Sequence, residues 1–134
     1  MRANPLILVV DDNPAGQLLV VTVLQLEGFE VDTAGSSNEV LAQLGVRTPA
    51  LILMDVQLPG QDGLSLTRKL KADPATASIP IVALTAYAMA GDREQALAAG
   101  CIGYITKPID TRHLGEQVRN FLAQEPIEPV AAGE

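Results

Sequence analysis

Leu51-Ile52-Leu53-Met54-Asp55-Val56-Gln57-Leu58-Pro59-Gly60 begins with four apolar residues and turns polar at an aspartate. The run Leu51–Met54 does not alternate apolar with polar side chains. A strand built from it therefore has two buried faces, as strands inside a parallel sheet do. Asp55 then stands at the end of that strand. Pro59-Gly60 reads as a turn, with proline at its second position and glycine at its third.

Similar apolar runs lie at Leu6–Val10 and Ile79–Leu84, with weaker ones at Val31 and its neighbours and at Ile102–Ile105. Helical patterns separate them. Asn13-Pro14 is an N-cap followed by proline at the first helical position, and Gly28 is the stop. Leu19, Val23 and Leu26 are the predicted buried face of that helix. Ser36 with Glu39 reads as a capping box. Leu66 and Leu70 carry a third helix that ends before Asp73-Pro74. A fourth is predicted over Asp92–Ala99, stopped by Gly100. The last carries Leu114, Val118, Phe121 and Leu122 on one stripe. Strand and helix thus alternate five times, which predicts an α/β fold with a parallel sheet and helices on both faces.

The 134 residues carry a net charge of −7, with a pI near 4.6. Acidic charge disfavours direct binding of nucleic acid. Hydrophobic residues make up 48 % and aromatics 3 %, so the core is aliphatic and the chain is not intrinsically disordered. One cysteine, Cys101, builds no internal disulfide. The run Leu6–Val10 is too short for a signal peptide or a membrane span. The expectation is a cytoplasmic protein with one domain over residues 5–124 and a disordered tail over 125–134, and no contact with membrane. Met1 and the short tail favour a complete protein; a piece excised from a larger kinase or regulator is the alternative.

Ligands of open α/β sheets sit beyond the carboxyl ends of the strands. There the chain places Asp11-Asp12, Asp55, Leu84-Thr85-Ala86 and Thr106-Lys107-Pro108. Three carboxylates brought together repel, at about 4 kcal/mol per pair for ~4 Å and an effective dielectric of ~20. A hard divalent cation such as Mg²⁺ can offset that, and so can Lys107. Carboxylates, a lysine and a hydroxyl around a metal form a phosphoryl-transfer site, in which a carboxylate can be the nucleophile.

These pieces resemble the receiver domains of two-component response regulators. The resemblance rests on Ile7-Leu8-Val9-Val10-Asp11-Asp12-Asn13, on Leu51 through Pro59 with Asp62-Gly63, on Ala83-Leu84-Thr85-Ala86 and on Gly103-Tyr104-Ile105-Thr106-Lys107-Pro108. It implies a flavodoxin-like doubly wound (βα)5 fold with strand order 2-1-3-4-5. It implies Asp55 as phosphoacceptor, with Mg²⁺ held by Asp11, Asp12, Asp55 and the Gln57 carbonyl. Lys107 would pair with the phosphoryl group, Lys107-Pro108 would be cis, and Thr85 and Tyr104 would be the switch pair. Gln57 and Tyr87 would line the path of hydrolytic water. The implied donor is a sensor histidine kinase or histidine phosphotransfer protein. The implied output is a downstream protein target, bound through the fourth helix, fifth strand and fifth helix. Thr85 through Asp92 is similar to receivers of single-domain cell-cycle regulators and of hybrid kinases.

Each residue also has a plainer reading. Asp11-Asp12 could be a solvated cap, Asp55 a turn former, Lys107 surface charge, Thr85 a strand end and Tyr104 half-buried packing. Gly63 and Gly100 read as backbone punctuation, His113 as exposed, and Cys101 as small and buried. A haloacid-dehalogenase-like phosphatase would need Asp-x-Asp after the first strand. A flavin carrier would need a hydroxyl-rich phosphate loop there. Neither is present, so the predicted protein is a switch and not a turnover enzyme, with a phosphorylation-independent docking module as the alternative.

Overall fold

Short aliphatic runs pair side by side, and the helices between them cover both sides of the result. The computed structural model describes residues 4–58, 61–86 and 90–124. Its elements are β1 (Leu6–Val10), α1 (Pro14–Leu26), β2 (Glu30–Ala34), α2 (Ser37–Val46) and β3 (Leu51–Asp55). There follow β4 (Gln57–Leu58), β5 (Gln61–Asp62), α3 (Gly63–Ala72), β6 (Ile81–Thr85), α4 (Ala90–Ala99), β7 (Gly103–Thr106) and α5 (Leu114–Gln124). The turn read at Pro59-Gly60, the residue Tyr87 and the tail from Glu125 lie outside the described residues.

The main sheet runs β2-β1-β3-β6-β7, with every neighbouring pair parallel. Numbering only its own strands in chain order, that sheet runs 2-1-3-4-5, the doubly wound order that the receiver resemblance implies. The chain winds outward from β1 to β2 on one side and from β3 to β6 and β7 on the other, so the winding reverses between β1 and β3 and a crevice opens beyond their carboxyl ends.

Alternate residues feed two cores, as the period-2 geometry of a strand requires. Leu8, Val10, Ile52, Met54, Ile81 and Ala83 pack toward α2, α3 and α4 with Val40, Leu66, Leu70 and Ala96. Ile7, Val9, Leu51, Leu53, Val82 and Leu84 pack toward α1 and α5 with Val20, Leu24, Leu114 and Val118. Both faces of β3 and β6 are fully buried, as the unbroken apolar runs predict.

Local signals placed most helix ends. Asn13 Oδ1 accepts from the Ala15 and Gly16 amides, and Gly28 turns the chain at φ 96°. Ser36 caps α2 by accepting from the Glu39 amide. Glu39 reaches back to the Gly35 amide, one residue before the cap, so the capping box is displaced by a residue.

Three expectations are corrected. The buried residues of α1 are Val20 and Leu24, whereas Leu19 is half-exposed and Leu26 is 84 % exposed. Leu18-Leu19-Val20-Val21 is apolar all round, so its pattern leaves the helix phase open and sheet contact decides it. The strand read at Ile79–Leu84 runs over Ile81–Thr85, because Pro80 has no amide for the ladder. The alternation also missed the small antiparallel pair β4–β5, with Gln57 opposite Asp62. Strands of two residues carry no readable period.

Candidate active site

Asp11 follows β1 and is anchored by its amide, which donates to the Ala34 carbonyl at the end of β2 (3.0 Å). Asp55 is the last residue of β3, and the next amide, that of Val56, donates to the Leu84 carbonyl of β6 (3.1 Å). Four adjacent strands, β2-β1-β3-β6, therefore set the backbone that carries the carboxylates. One carboxylate oxygen from each of Asp11, Asp12 and Asp55 falls within 4.8 Å of the others. Asp11 is 2 % exposed and Asp55 4 %, whereas Asp12 is open to water.

Each buried carboxylate is oriented by an amide two residues on. Asp11 Oδ1 accepts from the Asn13 amide and Asp55 Oδ1 from the Gln57 amide, both at 2.9 Å. Their other oxygens face Lys107, whose Nζ lies 2.9 Å from Asp55 Oδ2 and 3.5 Å from Asp11 Oδ2. The lysine is held from behind, as its amide donates to the Thr85 carbonyl (2.7 Å) and its bond to Pro108 is cis.

Burial opposes the charge of both partners in this pair, with different outcomes. On Lys107, burial lowers the pKa, but the hydrogen bond and charge of Asp55, reinforced by Asp11, leave it raised. On Asp55, burial wins. It outweighs the Gln57 amide and Lys107, and Asp11 adds repulsion, so the carboxyl sits above its usual range. One lysine among three carboxylates leaves negative charge uncompensated. The donor set is all oxygen, oriented by amides and open to water at Asp12. That fits a hard dication such as Mg²⁺, which keeps part of its water shell.

Thr85 is 6 % exposed and borders a cavity of about 560 Å³, whose lining includes Gln57, Asp62, Leu64 and Gln95. A smaller cavity of about 210 Å³ lies toward α1, between Asp11, Gly16, Leu19, Lys107 and Ile109. Tyr104 on β7 is half-buried and packs against the core of the α3–α4 side. It stands beside Ala83 in the ladder, two pairs before Thr85 meets Thr106. Every predicted site residue except Tyr87 is described.

The sequence reading undervalued two residues and overlooked a third. A Cβ on Gly63 would run into the Asp55 carbonyl oxygen, so glycine there lets α3 start against the Asp55 backbone. Asp62, singled out only with its glycine, caps α3 by accepting from the Leu64 amide (2.8 Å). Gln17 donates from Nε2 to the Asp11 carbonyl (3.0 Å), a contact six residues apart that no local pattern announces. Among the residues expected to be passive, Cys101 is buried, which pushes its thiol up to about 11. His113 is exposed, with Nδ1 2.8 Å from Asp110.

The family model for the response regulator receiver domain matches residues 7–119. "Response regulator PleD" of Caulobacter vibrioides is 45 % identical over 115 residues, which is 86 % of this chain and 25 % of that one. The chain thus spans about a quarter of that relative's length. "Polar-differentiation response regulator DivK" of Brucella ovis is 37 % identical over 116 residues, covering 87 % of this chain and 94 % of the relative. A solved structure of a putative response regulator from Chloroflexus aurantiacus superposes with TM-score 0.84 at 33 % identity, covering 90 % of this chain and 98 % of that one.

Proposed function

The chain belongs to the response regulator receiver family, and from that premise we propose that it is a switch operated by Mg²⁺-dependent phosphorylation of Asp55. The observation that carries this reading is the Lys107 contact on Asp55 inside a cluster of three carboxylates. A structural ion pair would leave no surplus of buried negative charge. A site that takes up a dication and then a phosphoryl group needs that surplus.

Asp11, Asp12, Asp55 and the Gln57 carbonyl are the proposed Mg²⁺ ligands. When bound, the metal would neutralise oxygens of the transferring group. Asp55 Oδ attacks the phosphorus of a phosphohistidine on a kinase or phosphotransfer protein. The new P–O bond forms as the P–N bond breaks, and the imidazole leaves with the bonding electrons. Lys107 is placed to follow the charge from the carboxylate to the phosphoryl oxygens. The Thr85 hydroxyl then donates to one of those oxygens, and Tyr104 repacks toward the space beside Thr85. The α4–β7–α5 surface is the proposed readout for a downstream protein. Among the described residues, no helix is long and apolar enough to cross a membrane.

The test is incubation with a small acyl phosphate and Mg²⁺, read by intact mass. The expected result is one added phosphoryl group, absent with EDTA and absent in Asp55→Asn. Equal labelling of Asp55→Asn, or none of the wild type, sinks the reading.

A further inference from the structure

Asp11 and Asp12 can hold a metal together only if the peptide between them keeps one orientation. They sit on the three-residue connection from β1 to α1, 11–13. The Asp11 amide is fixed by the sheet, through the Ala34 carbonyl. The next peptide is not part of any ladder. Its plane is set by what the Asp11 carbonyl finds to accept from, and rotating that plane would swing the Asp12 carboxylate away.

The donor it finds is Gln17. From α1, Nε2 reaches the Asp11 carbonyl at 3.0 Å and the Ala34 carbonyl at 3.4 Å. Two carbonyl dipoles from the ends of neighbouring strands converge on one side-chain NH₂. Without the donor they would repel across a half-buried gap. The Gln17 backbone is itself placed by its amide, which donates to the Asn13 carbonyl at 2.9 Å. Gly16 completes the arrangement: a Cβ there would stand 3.0 Å from Asp11 Oδ2, the oxygen that faces Lys107.

We propose that Gln17, with Gly16 beside it, is a positioning residue for the metal-binding aspartates: it locks the Asp11–Asp12 peptide while Gly16 leaves the Asp11 carboxylate its room. The inference rests on the Mg²⁺ reading above. Gln17 touches neither phosphoryl group nor metal. It acts through Asp11, as partners behind a metal ligand do elsewhere.

The test compares wild type with Gln17→Met, which keeps length and loses the donor, with Gly16→Ala, and with Arg119→Ala. The last breaks a remote ion pair with Glu27. Two quantities are read: Mg²⁺ affinity by calorimetry, and hydrogen exchange of the Asn13 amide in EDTA, since that amide is held by Asp11 Oδ1. Gln17→Met is expected to bind Mg²⁺ about tenfold more weakly and to exchange Asn13 faster without metal. Gly16→Ala is expected to lose affinity too, and Arg119→Ala to match wild type in both. Wild-type affinity and unchanged Asn13 exchange in Gln17→Met overturn the proposal, as does an equal loss in Arg119→Ala. Should Gln17→Met not fold, wild-type Mg²⁺ affinity in Gly16→Ala overturns it. If wild type itself binds no Mg²⁺, the metal reading fails, while Asn13 exchange still decides whether Gln17 holds the loop.

Discussion

Two clusters in this molecule set one cation against two carboxylates, and they behave as opposites. Arg47, at the end of α2, donates to both oxygens of Asp32 (2.9 and 3.2 Å) and to Glu30 (3.1 Å) on the edge strand β2. At the strand ends, Lys107 faces Asp55 and Asp11, with Asp12 adding a third carboxylate. The Arg47 cluster lies in water. Its hydrogen bonds to Asp32, then to Glu30, hold the guanidinium above its usual pKa, and water solvates the charge left over. The Lys107 cluster is mostly buried, and burial holds Asp55 above its usual range despite the lysine. Charge count is nearly the same, so environment makes the difference. Water screens the first into a weak surface contact. Burial leaves the second short of positive charge, and a hard dication would answer that shortage.

Removing Lys107 breaks the contrast most. A fully buried pair stripped of one partner costs about 3–5 kcal/mol, and the partial exposure of Lys107 discounts this to about 2 kcal/mol. Lys107→Met is therefore expected to unfold at lower denaturant in EDTA, yet to bind Mg²⁺ more tightly than wild type, because the dication replaces the missing charge. Weaker Mg²⁺ binding in a titration would refute the idea that the lysine and the metal answer the same shortage.

Asp55→Asn has a smaller effect, and its size depends on pH. A carboxyl whose folded pKa is raised contributes stability that is complete below the ordinary aspartate value of about 3.9 and is lost as pH rises through the folded value. Ionised Asp55 is thus a burden on the metal-free fold at neutral pH, and asparagine removes it. The melting temperature of Asp55→Asn minus that of wild type, measured in EDTA, is expected to widen from pH 4 to pH 7. A gap that narrows over this range contradicts the dominance of burial at Asp55.

Arg47→Ala is the smallest perturbation. It is expected to shift the melting temperature least of the three, to lose even that shift in high salt, and to leave Mg²⁺ affinity and acyl-phosphate labelling untouched. A change in Mg²⁺ affinity would mean that the edge of β2 communicates with the site.

Much of the site was legible because its residues follow short, wholly apolar strands. Asp11, Asp55, Thr85 and Lys107 each sit at or just past a strand end, and a parallel sheet brings those ends to one side. The local caps at Asn13 and Ser36 were legible for a similar reason, since their partners lie within three residues. The phase of α1 was not. Its apolar residues surround the helix, and packing against Ile7 and Val9 selects Val20 and Leu24 over Leu19 and Leu26. Gly63 read as punctuation because its neighbour, the Asp55 carbonyl, is eight residues away in the chain and in contact only once β3 and α3 meet.

The amino-acid sequence by itself determined the α/β alternation, the five main strands, and which carboxylates, hydroxyl and lysine could converge, because side-chain period and capping are short-range. Only the tertiary structure decided how charge is balanced there. Burial depends on everything packed around β1, β3 and β7, and it alone sets the buried Asp55 carboxylate apart from Asp32 on the exposed edge. It also brought Gln17 to the Asp11 carbonyl, a contact made when α1 settles across the ends of two strands.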